Sequence, residues 1–340
     1  MVSQVKNIRC VALLSGGLDS MLAAAIVKNQ GAEVIGVSFN IGFGPIPKKN
    51  IASLHPAINA AQQIGISLEI IDISKDYLPI LLNPKHGYGS ASNPCIDCHI
   101  EMIRRAKDYM SSKGAQFIVT GEVMGQRPMS QNVHHLNVVA QESGAEDILL
   151  RPLSAKRLKP TLPEREGWVD REKLCGIFGR SRAAQLKIAR EMGISEFAQP
   201  AGGCLLTEKE FALKFFDLIE RKGKENISFK DVQLLKAGRH FRINPELKFI
   251  IGRNEDENLF LQETGGEDMG MMEAVDYPGP IAVVDGTPKE EELKIIAQIL
   301  VRYGQGRNKT KVLVRYTKEK EEMVFEAPPT EASGPERWRI

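Results

Sequence analysis

No stretch of this sequence comes near the roughly 20 consecutive apolar residues that cross a membrane, and Met1–Cys10 lacks the basic-then-apolar layout of a leader. The expectation is a cytoplasmic protein with no membrane partner. A charge imbalance is also missing: 45 basic side chains stand against 43 acidic ones, so bulk charge announces no nucleic acid. Cysteine is scarce and odd in number, five in 340 residues. In a long chain of this kind such cysteines read as metal or catalytic chemistry before disulfides. There is no internal repeat. What remains is globular texture, 42% hydrophobic and 26% charged, on a chain long enough for two domains.

Charge is uneven along the chain. Residues 1–224 carry 28 basic and 22 acidic groups, residues 225–340 carry 17 and 21, and residues 151–190 hold 11 and 4. A local positive strip on a nearly neutral protein follows from this. In residues 1–150, short apolar runs alternate with helical patterns. Strands are predicted at Arg9–Leu14, Glu33–Phe39, Leu68–Ile73 and Phe117–Thr120, and helices at Met21–Asn29, Pro56–Ile64 and Ile100–Ser112. That alternation predicts α/β architecture, a doubly wound parallel sheet. Ligands then belong at the carboxyl ends of the strands, where Ser15–Ser20, Phe39–Asn40 and Gly121–Glu122 fall.

Residues 151–210 read as a basic connector ending in a Gly-Gly-Cys turn, with Asp170–Met192 mainly helical and a capping box at Thr207–Glu210 opening a helix. Past Asn226 the texture changes to strands at Leu247–Gly252, Ile281–Val284 and Lys311–Tyr316 and a helix near Lys289–Tyr303. The domain expectation is 1–222, a smaller α+β domain over 223–330, and a tail at 331–340, with fraying expected after Ala327.

Ser15-Gly16-Gly17-Leu18-Asp19-Ser20 lies between a predicted strand and helix. Two glycines let the backbone approach a ligand, and successive N–H groups at a helix start make an anion site. Ser15 and Ser20 add hydroxyls, and Asp19 could hold Mg²⁺ or orient the loop. No lysine follows, so this is not the Gly-Lys-Ser phosphate loop. The plain alternative is an ordinary glycine turn.

Cys95 and Cys98, two residues apart at a helix start, can face one ion. Cys204 follows two glycines. Three readings stand together for this trio: a [4Fe–4S] cluster held by three thiolates with one open iron, a persulfide and resolving pair, or zinc with His99 recruited as a fourth ligand. Cys10 and Cys175 sit in apolar surroundings and read as small hydrophobes. His86, His134 and His135 show no defensible partner spacing.

The Ser-Gly-Gly-Leu-Asp-Ser segment resembles the signature of the PP-loop ATPases, which split ATP into AMP and pyrophosphate. That family includes tRNA thiouridine synthases, lysidine synthetase and glutamine-dependent amidotransferases. The resemblance implies an adenine nucleotide alpha-hydrolase-like fold, with ATP at Leu14, Ser15, Gly16, Gly17, Leu18, Asp19 and Ser20 and adenine near Phe39 and Asn40. Asn93–Cys98 is similar to the Asn-Pro-Asp-x-x-Cys motif of bacterial 2-thiouridylases. Cys98 takes the motif's cysteine, while Cys95 replaces its aspartate, which resembles the cluster-dependent thiolation enzymes. Thr120-Gly121-Glu122-Val123-Met124-Gly125-Gln126 resembles a segment of 4-thiouridine synthases, implying that Gly121, Glu122 and Gln126 lie beside the nucleotide.

Ala237–Arg242 and Ile251–Asn258 resemble the RNA-binding domain of NFACT proteins. The resemblance makes Arg239, His240, Arg242 and Arg253 phosphate contacts and Phe241 a stacking ring. The plain alternative is a solvated face around a core phenylalanine. Lys156, Arg157, Lys159, Arg180 and Arg182, with Lys187 and Arg190, are the second RNA candidates, from the basic segment.

The expected function is ATP-dependent tRNA thiolation with ATP, Mg²⁺ and the cluster as cofactors. Asp19, Cys98 and Cys204 are the catalytic residues, and sulfide or a cysteine desulfurase persulfide is the sulfur donor. Position 4 of uridine is preferred over position 2, and homodimerisation is left open. The rival expectations are adenylation for attack by an amine, where the cysteine trio has no work, and a non-catalytic RNA-binding protein.

Overall fold

Short Val-, Ile- and Leu-rich runs, each followed by a helical pattern, build the first half of the molecule. The computed structural model describes residues 8–46, 55–198, 204–331 and 333–340. The elements run β1 (Arg9–Leu13), α1 (Leu18–Lys28), β2 (Glu33–Asn40), α2 (Pro56–Ile64), β3 (Ser67–Asp72), α3 (Ser74–Leu82), α4 (Cys95–Ser112), β4 (Phe117–Val119), α5 (Val133–Glu142), β5 (Leu149–Leu150), α6 (Leu162–Arg165) and α7 (Ala183–Glu191). The strands form one sheet in the order β3-β2-β1-β4-β5, parallel throughout. This is the expected doubly wound α/β architecture.

Alternation in β1 explains why helices cover both faces. Cys10 and Ala12 join the core made with Leu18, Met21 and Leu22 of α1. Val11, between them, joins Ile100 and Ile103 of α4 and Val139 of α5 on the opposite face. Connections leave β1 in both directions, first to β2 and later to β4. The carboxyl ends of β1 and β4 therefore flank the point where the strand order reverses, the place where such sheets bind ligands.

Contact clustering gives two units, Met1–Gly42 with Ser53–Cys204 and Phe43–Ala52 with Leu205–Ile340. The second contains α8 (Lys209–Lys222), α9 (Phe229–Leu234), β6 (Arg239–Asn244), β7 (Leu247–Ile251), α10 (Glu255–Gly265), β8 (Gly270–Ala274), β9 (Ile281–Asp285), α11 (Glu290–Tyr303), β10 (Val312–Lys318) and β11 (Glu321–Ala327). Its six strands are ordered β11-β10-β8-β9-β7-β6, antiparallel throughout. Phe249 and Ile251 of β7 pack with Ile296 and Leu300 of α11. Ile250, one residue out of phase, packs with Leu261 of α10 and Val283. This is a second α+β layer structure; contact clustering divides the chain at Cys204/Leu205, so the boundary expected at residue 222 falls inside this unit, at the end of α8.

Three local expectations are corrected. The Asp170–Met192 segment is regular only from Ala183, apart from one 3₁₀ turn at Arg171–Lys173; Gly176 and Gly179 interrupt the rest. Thr207 does not cap α8, whose first turn follows Glu208 with no side-chain cap; Thr207 ends a 3₁₀ turn instead. The tail is not frayed at its end. Gly334–Trp338 form a 3₁₀ turn, Ile340 N donates to His240 O at 3.0 Å, and Trp338 packs on the antiparallel core. The glycines of the Gly-Gly-Cys turn, Gly202 and Gly203, lie outside the described residues. Among the described residues no helix is long and apolar enough to cross a membrane.

Candidate nucleotide and thiol site

Ser15–Ser20 forms the turn between β1 and α1 and is held open from within. Ser20 Oγ donates to Gly17 O at 2.8 Å, Ser15 N donates to Ser20 Oγ at 3.2 Å, and the two serine hydroxyls lie 3.2 Å apart. Gly16 has φ +82°, and a Cβ there would stand 2.5 Å from the Pro56 carbonyl carbon. No L side chain fits. Gly17 precedes α1 in extended backbone and supplies no side-chain cap. The first-turn N–H groups of α1 are thus left for an anion.

The segment after β4 closes against this loop. A Cβ on Gly121 would meet Ser20 N at 2.4 Å, so only glycine lets the two backbones touch. Gln126 Nε2 donates to Asp19 Oδ2 at 3.0 Å. The other carboxylate oxygen, Asp19 Oδ1, is buried with no hydrogen-bond partner. A buried, unpartnered carboxylate oxygen beside an anion cradle is the donor type that Mg²⁺ takes, so the residues fit that ion.

Other expected nucleotide residues have different duties. Leu14 and Leu18 are core. Phe39 packs partly into the α4 face of the sheet. Asn40 spends its side chain on Asp72 Oδ2 (2.9 Å) and Gly42 N (3.0 Å), tying the ends of β2 and β3. Glu122 is buried: Arg151 Nε donates to its Oε2 at 2.7 Å, Thr120 Oγ1 at 3.0 Å, and His99 Nδ1 lies 3.1 Å from Oε1. Burial pushes its carboxyl up, but the adjacent Arg151 and His99 outweigh that and hold it well below the usual carboxylate range. Glu122 is therefore a strut behind the loop.

Cys95 and Cys98 open α4 on its first turn, without a side-chain cap. Cys98 is buried, Cys95 and Cys204 half-buried. The three share one locale around the fully buried Tyr77: burial, then the charges of Cys98, Cys204 and Cys95, push its hydroxyl up. Burial pushes the Cys98 thiol up to about 12, opposed by the Tyr77 hydroxyl beside it. Such a thiol is protonated at neutral pH unless a cation draws the proton off. The donors suit an iron–sulfur cluster in type, three thiols where such clusters commonly take four. Among the described residues, however, no group of three His, Cys, Asp or Glu side chains is placed to hold a metal ion. His99, the suggested zinc ligand, already faces Glu122. Cys10 is fully buried, and burial raises its thiol.

Sequence reasoning missed Tyr77, Thr120, Arg151 and His99 as supports. It also missed His86, which sits between Asp97 Oδ1 (3.1 Å) and Glu142 Oε1 (3.2 Å) and anchors the chain before α4. Apart from Thr120, which opens the Thr-Gly-Glu-x-x-Gly-Gln segment, none belongs to a short motif; only the apolar run around Arg151 signals its burial.

The RNA candidates divide sharply. His240 is buried with Nε2 2.8 Å from Ala237 O, and Phe241 is core, stacked on Phe249 at 4.9 Å; neither can reach RNA. Arg242 is bidentate to Asp217 at 3.0 and 2.7 Å, and Arg253 pairs with Glu257 at 2.7 Å. Arg239 has no ion pair among the described residues; its guanidinium lies 4.5 Å from the Tyr303 ring centre. In the basic segment Lys156 pairs with Glu172 (3.1 Å), Arg157 donates to Gly176 O, Lys187 lies 3.9 Å from Glu191, and Arg182 lies over Phe197. Lys159, Arg180 and Arg190 are exposed, with no ion pair among the described residues.

Residues 6–157 match the family model described as thiamine biosynthesis protein (ThiI), and residues 238–339 match that of the NFACT protein RNA binding domain. A tRNA-specific 2-thiouridylase MnmA of Pelobacter propionicus is 29% identical over 149 residues, 43% of this chain and 42% of that protein. One of Streptococcus uberis is 24% identical over 96% of this chain and 90% of its own length. The chain thus spans about two fifths of the length of the first of these curated relatives. Among solved structures, a 4-thiouridine synthetase–RNA complex with bound ATP shares 18% identity over 67% of this chain and 52% of that one, with a TM-score of 0.39.

Proposed function

From the premise that the chain is a PP-loop protein of the tRNA thiouridine synthase type with an NFACT-type RNA-binding domain, we propose that it is an ATP-dependent tRNA thiouridine synthase. The observation that carries this reading is the bond from Gln126 to Asp19. It builds the Gly-Glu-x-x-Gly-Gln segment into the phosphate loop, and Glu122 of the same segment meets His99 of the helix that carries Cys95 and Cys98.

A uridine carbonyl oxygen attacks the α-phosphorus of ATP, the bond to the β-phosphate oxygen breaks, and pyrophosphate leaves. The uncapped N–H groups of α1 and the Ser15 and Ser20 hydroxyls receive the charge on the leaving group. Asp19 would hold Mg²⁺ through Oδ1, and the ion would neutralise phosphate charge there. Sulfide sulfur then attacks the activated ring carbon, the C–O bond breaks, and AMP departs with the uridine oxygen. Cys95, Cys98 and Cys204 are the residues that would hold a [4Fe–4S] cluster, which would supply a place to bind sulfide. The sulfur comes from sulfide itself, or from a desulfurase persulfide whose outer sulfur is brought to the sulfide level as two thiols are oxidised to a disulfide. Position 4 is the uridine position we adopt, on the segment at residues 120–126. The 2-thiouridylase relatives make position 2 the rival, and nucleoside analysis of thiolated tRNA decides between them.

A second reading keeps the enzyme and moves the sulfur onto a cysteine persulfide. It is favoured by the lack of any group placed to hold a metal among the described residues. Iron and acid-labile sulfide, measured on protein purified without oxygen, separate the two. About four irons per chain, lost in Cys95→Ala, Cys98→Ala or Cys204→Ala, is the expected result. Iron-free protein that still thiolates tRNA establishes the persulfide route. Iron-free protein that neither thiolates nor releases pyrophosphate overturns the proposal.

A further inference from the structure

The second unit contains an arginine cavity that no motif announced. A recess of about 480 Å³ is lined by Arg239, Arg302, Tyr303, Arg307 and Pro335. Arg239 opens β6, Arg302 lies in the last turn of α11, and Arg307 sits on the 3₁₀ turn Gln305–Asn308 that follows. Sixty-odd residues of chain separate the first from the others, and the antiparallel sheet brings them together. No carboxylate lines this recess, and among the described residues none of the three guanidinium groups has an ion pair. Elsewhere in the same unit the rule is the opposite: Arg242 is held by Asp217 and Arg253 by Glu257.

Three arginines left uncompensated in one concavity repel one another and are stabilised by an anion. Arg239 is already fixed by the face of Tyr303, so little side-chain freedom remains to be lost on binding. The recess continues into a wider cleft of about 780 Å³ that shares Arg239, Tyr303 and Arg307 and adds Arg253, the carboxylate of Glu255 and the amides of Asn254, Asn258 and Gln305. Asn254 and Asn258 commit their carbonyl oxygens to Glu257 N and Ile281 N, at 3.0 and 3.3 Å. That leaves their NH₂ groups as donors toward acceptors on a ligand. A double helix does not enter a recess of this size, whereas one unstacked nucleotide does.

We propose that this cavity takes a single-stranded segment of RNA, with a phosphate on Arg239, Arg302 and Arg307 and the attached nucleoside in the amide-lined cleft. The inference rests on the reading of the second unit as RNA-binding, and it names the site and the strandedness of the ligand.

The test is the binding of a short, fluorescent single-stranded oligoribonucleotide to the full chain, followed by anisotropy over a range of salt concentrations. Arg302→Ala and Arg307→Ala are each expected to weaken binding about tenfold and to lower the slope of log affinity against log salt by about one. Arg302→Lys should recover part of the affinity at unchanged slope. An equal-length duplex should bind without sensitivity to either variant. Folded variants, by circular dichroism and elution volume, that bind the single strand with wild-type affinity and slope overturn the proposal. So does an acidic peptide that displaces the RNA and loses its own binding in the same variants, because the cavity is then a peptide site. The readout needs no ATP and no sulfur transfer, so a failure of the thiolation reading leaves it intact. Conversely, loss of pyrophosphate release without loss of RNA binding leaves the cavity standing.

Discussion

The two units solve the placement of functional groups in opposite ways. In the parallel sheet, the anion cradle is one continuous turn, Ser15–Ser20, and its partners lie in the turn after the adjacent strand. Each contribution is local, and glycines mark both turns because two backbones must touch there. In the antiparallel sheet, the three unpaired arginines come from a strand start, a helix end and the turn beyond. The basic residues that sit close together in sequence, Arg239, His240 and Arg242, alternate between cavity, core and an ion pair. A parallel sheet collects loops at one edge, whereas an antiparallel sheet collects side chains across distant segments.

The comparison breaks first, and hardest, at Asp19. Asp19→Ala should reduce AMP and pyrophosphate formation by about a hundredfold or more while leaving the circular dichroism spectrum intact. Undiminished turnover would remove the local turn from the chemistry.

A second blow falls behind the loop. Arg151→Leu strands the Glu122 charge in the interior and should cost about 3–5 kcal/mol, read as a fall in the urea midpoint at neutral pH. The sign of its pH dependence follows from the depressed Glu122 carboxyl. Its stabilisation is fully present above the ordinary carboxylate value of 4.5 and is lost as pH falls toward the lower folded value. Wild-type protein should lose stability across that window, and the variant less. Parallel acid profiles would mean that Glu122 is not held by Arg151.

The smallest effect sharpens the other unit. Lys248 is buried on β7 and pushed down to about 8 by burial. Its folded value lies below the unfolded one of 10.5, so the unfolded chain binds the extra proton between them and this lysine makes stability rise with pH across that window. Lys248→Met should stabilise the protein by about 1 kcal/mol at neutral pH, and the gap to wild type should close as pH rises from 8 to 10.5. A constant gap would show that the lysine carries no burial penalty.

Legibility follows the same division. The first sheet was readable because β1, β2 and β4 are continuous apolar runs, as strands covered on both faces must be. β5 was not, since two residues leave no period to read. In the second sheet β6, β8 and β11 escaped: Glu321-Glu322-Met323-Val324-Phe325-Glu326-Ala327 is an edge strand whose charged residues face water, and Gly-Met-Met-Glu-Ala carries little β-branched signal. At the site, Gly16, Gly121, Asp19 and the cysteine spacing were legible because backbone approach and ligand spacing restrict residue type. The partners of Glu122, Arg151 and His99, were not legible, because they are set by tertiary packing. His240 was expected at the surface and Phe241 either there or in the core, since a single sequence does not show which face of an edge strand is covered.

The support that Gly121 and Gln126 give to the phosphate turn also sets an order in time. A chain emerging from the ribosome exposes Ser15–Ser20 long before it exposes the residues that press on Ser20 N and hold Asp19 Oδ2. During that interval β1 lacks its β4 neighbour and Asp19 lacks its brace. The most recognisable stretch of the chain is thus synthesised about a hundred residues before its braces, so a fragment bearing the motif but ending before residue 121 inherits the signature without the support.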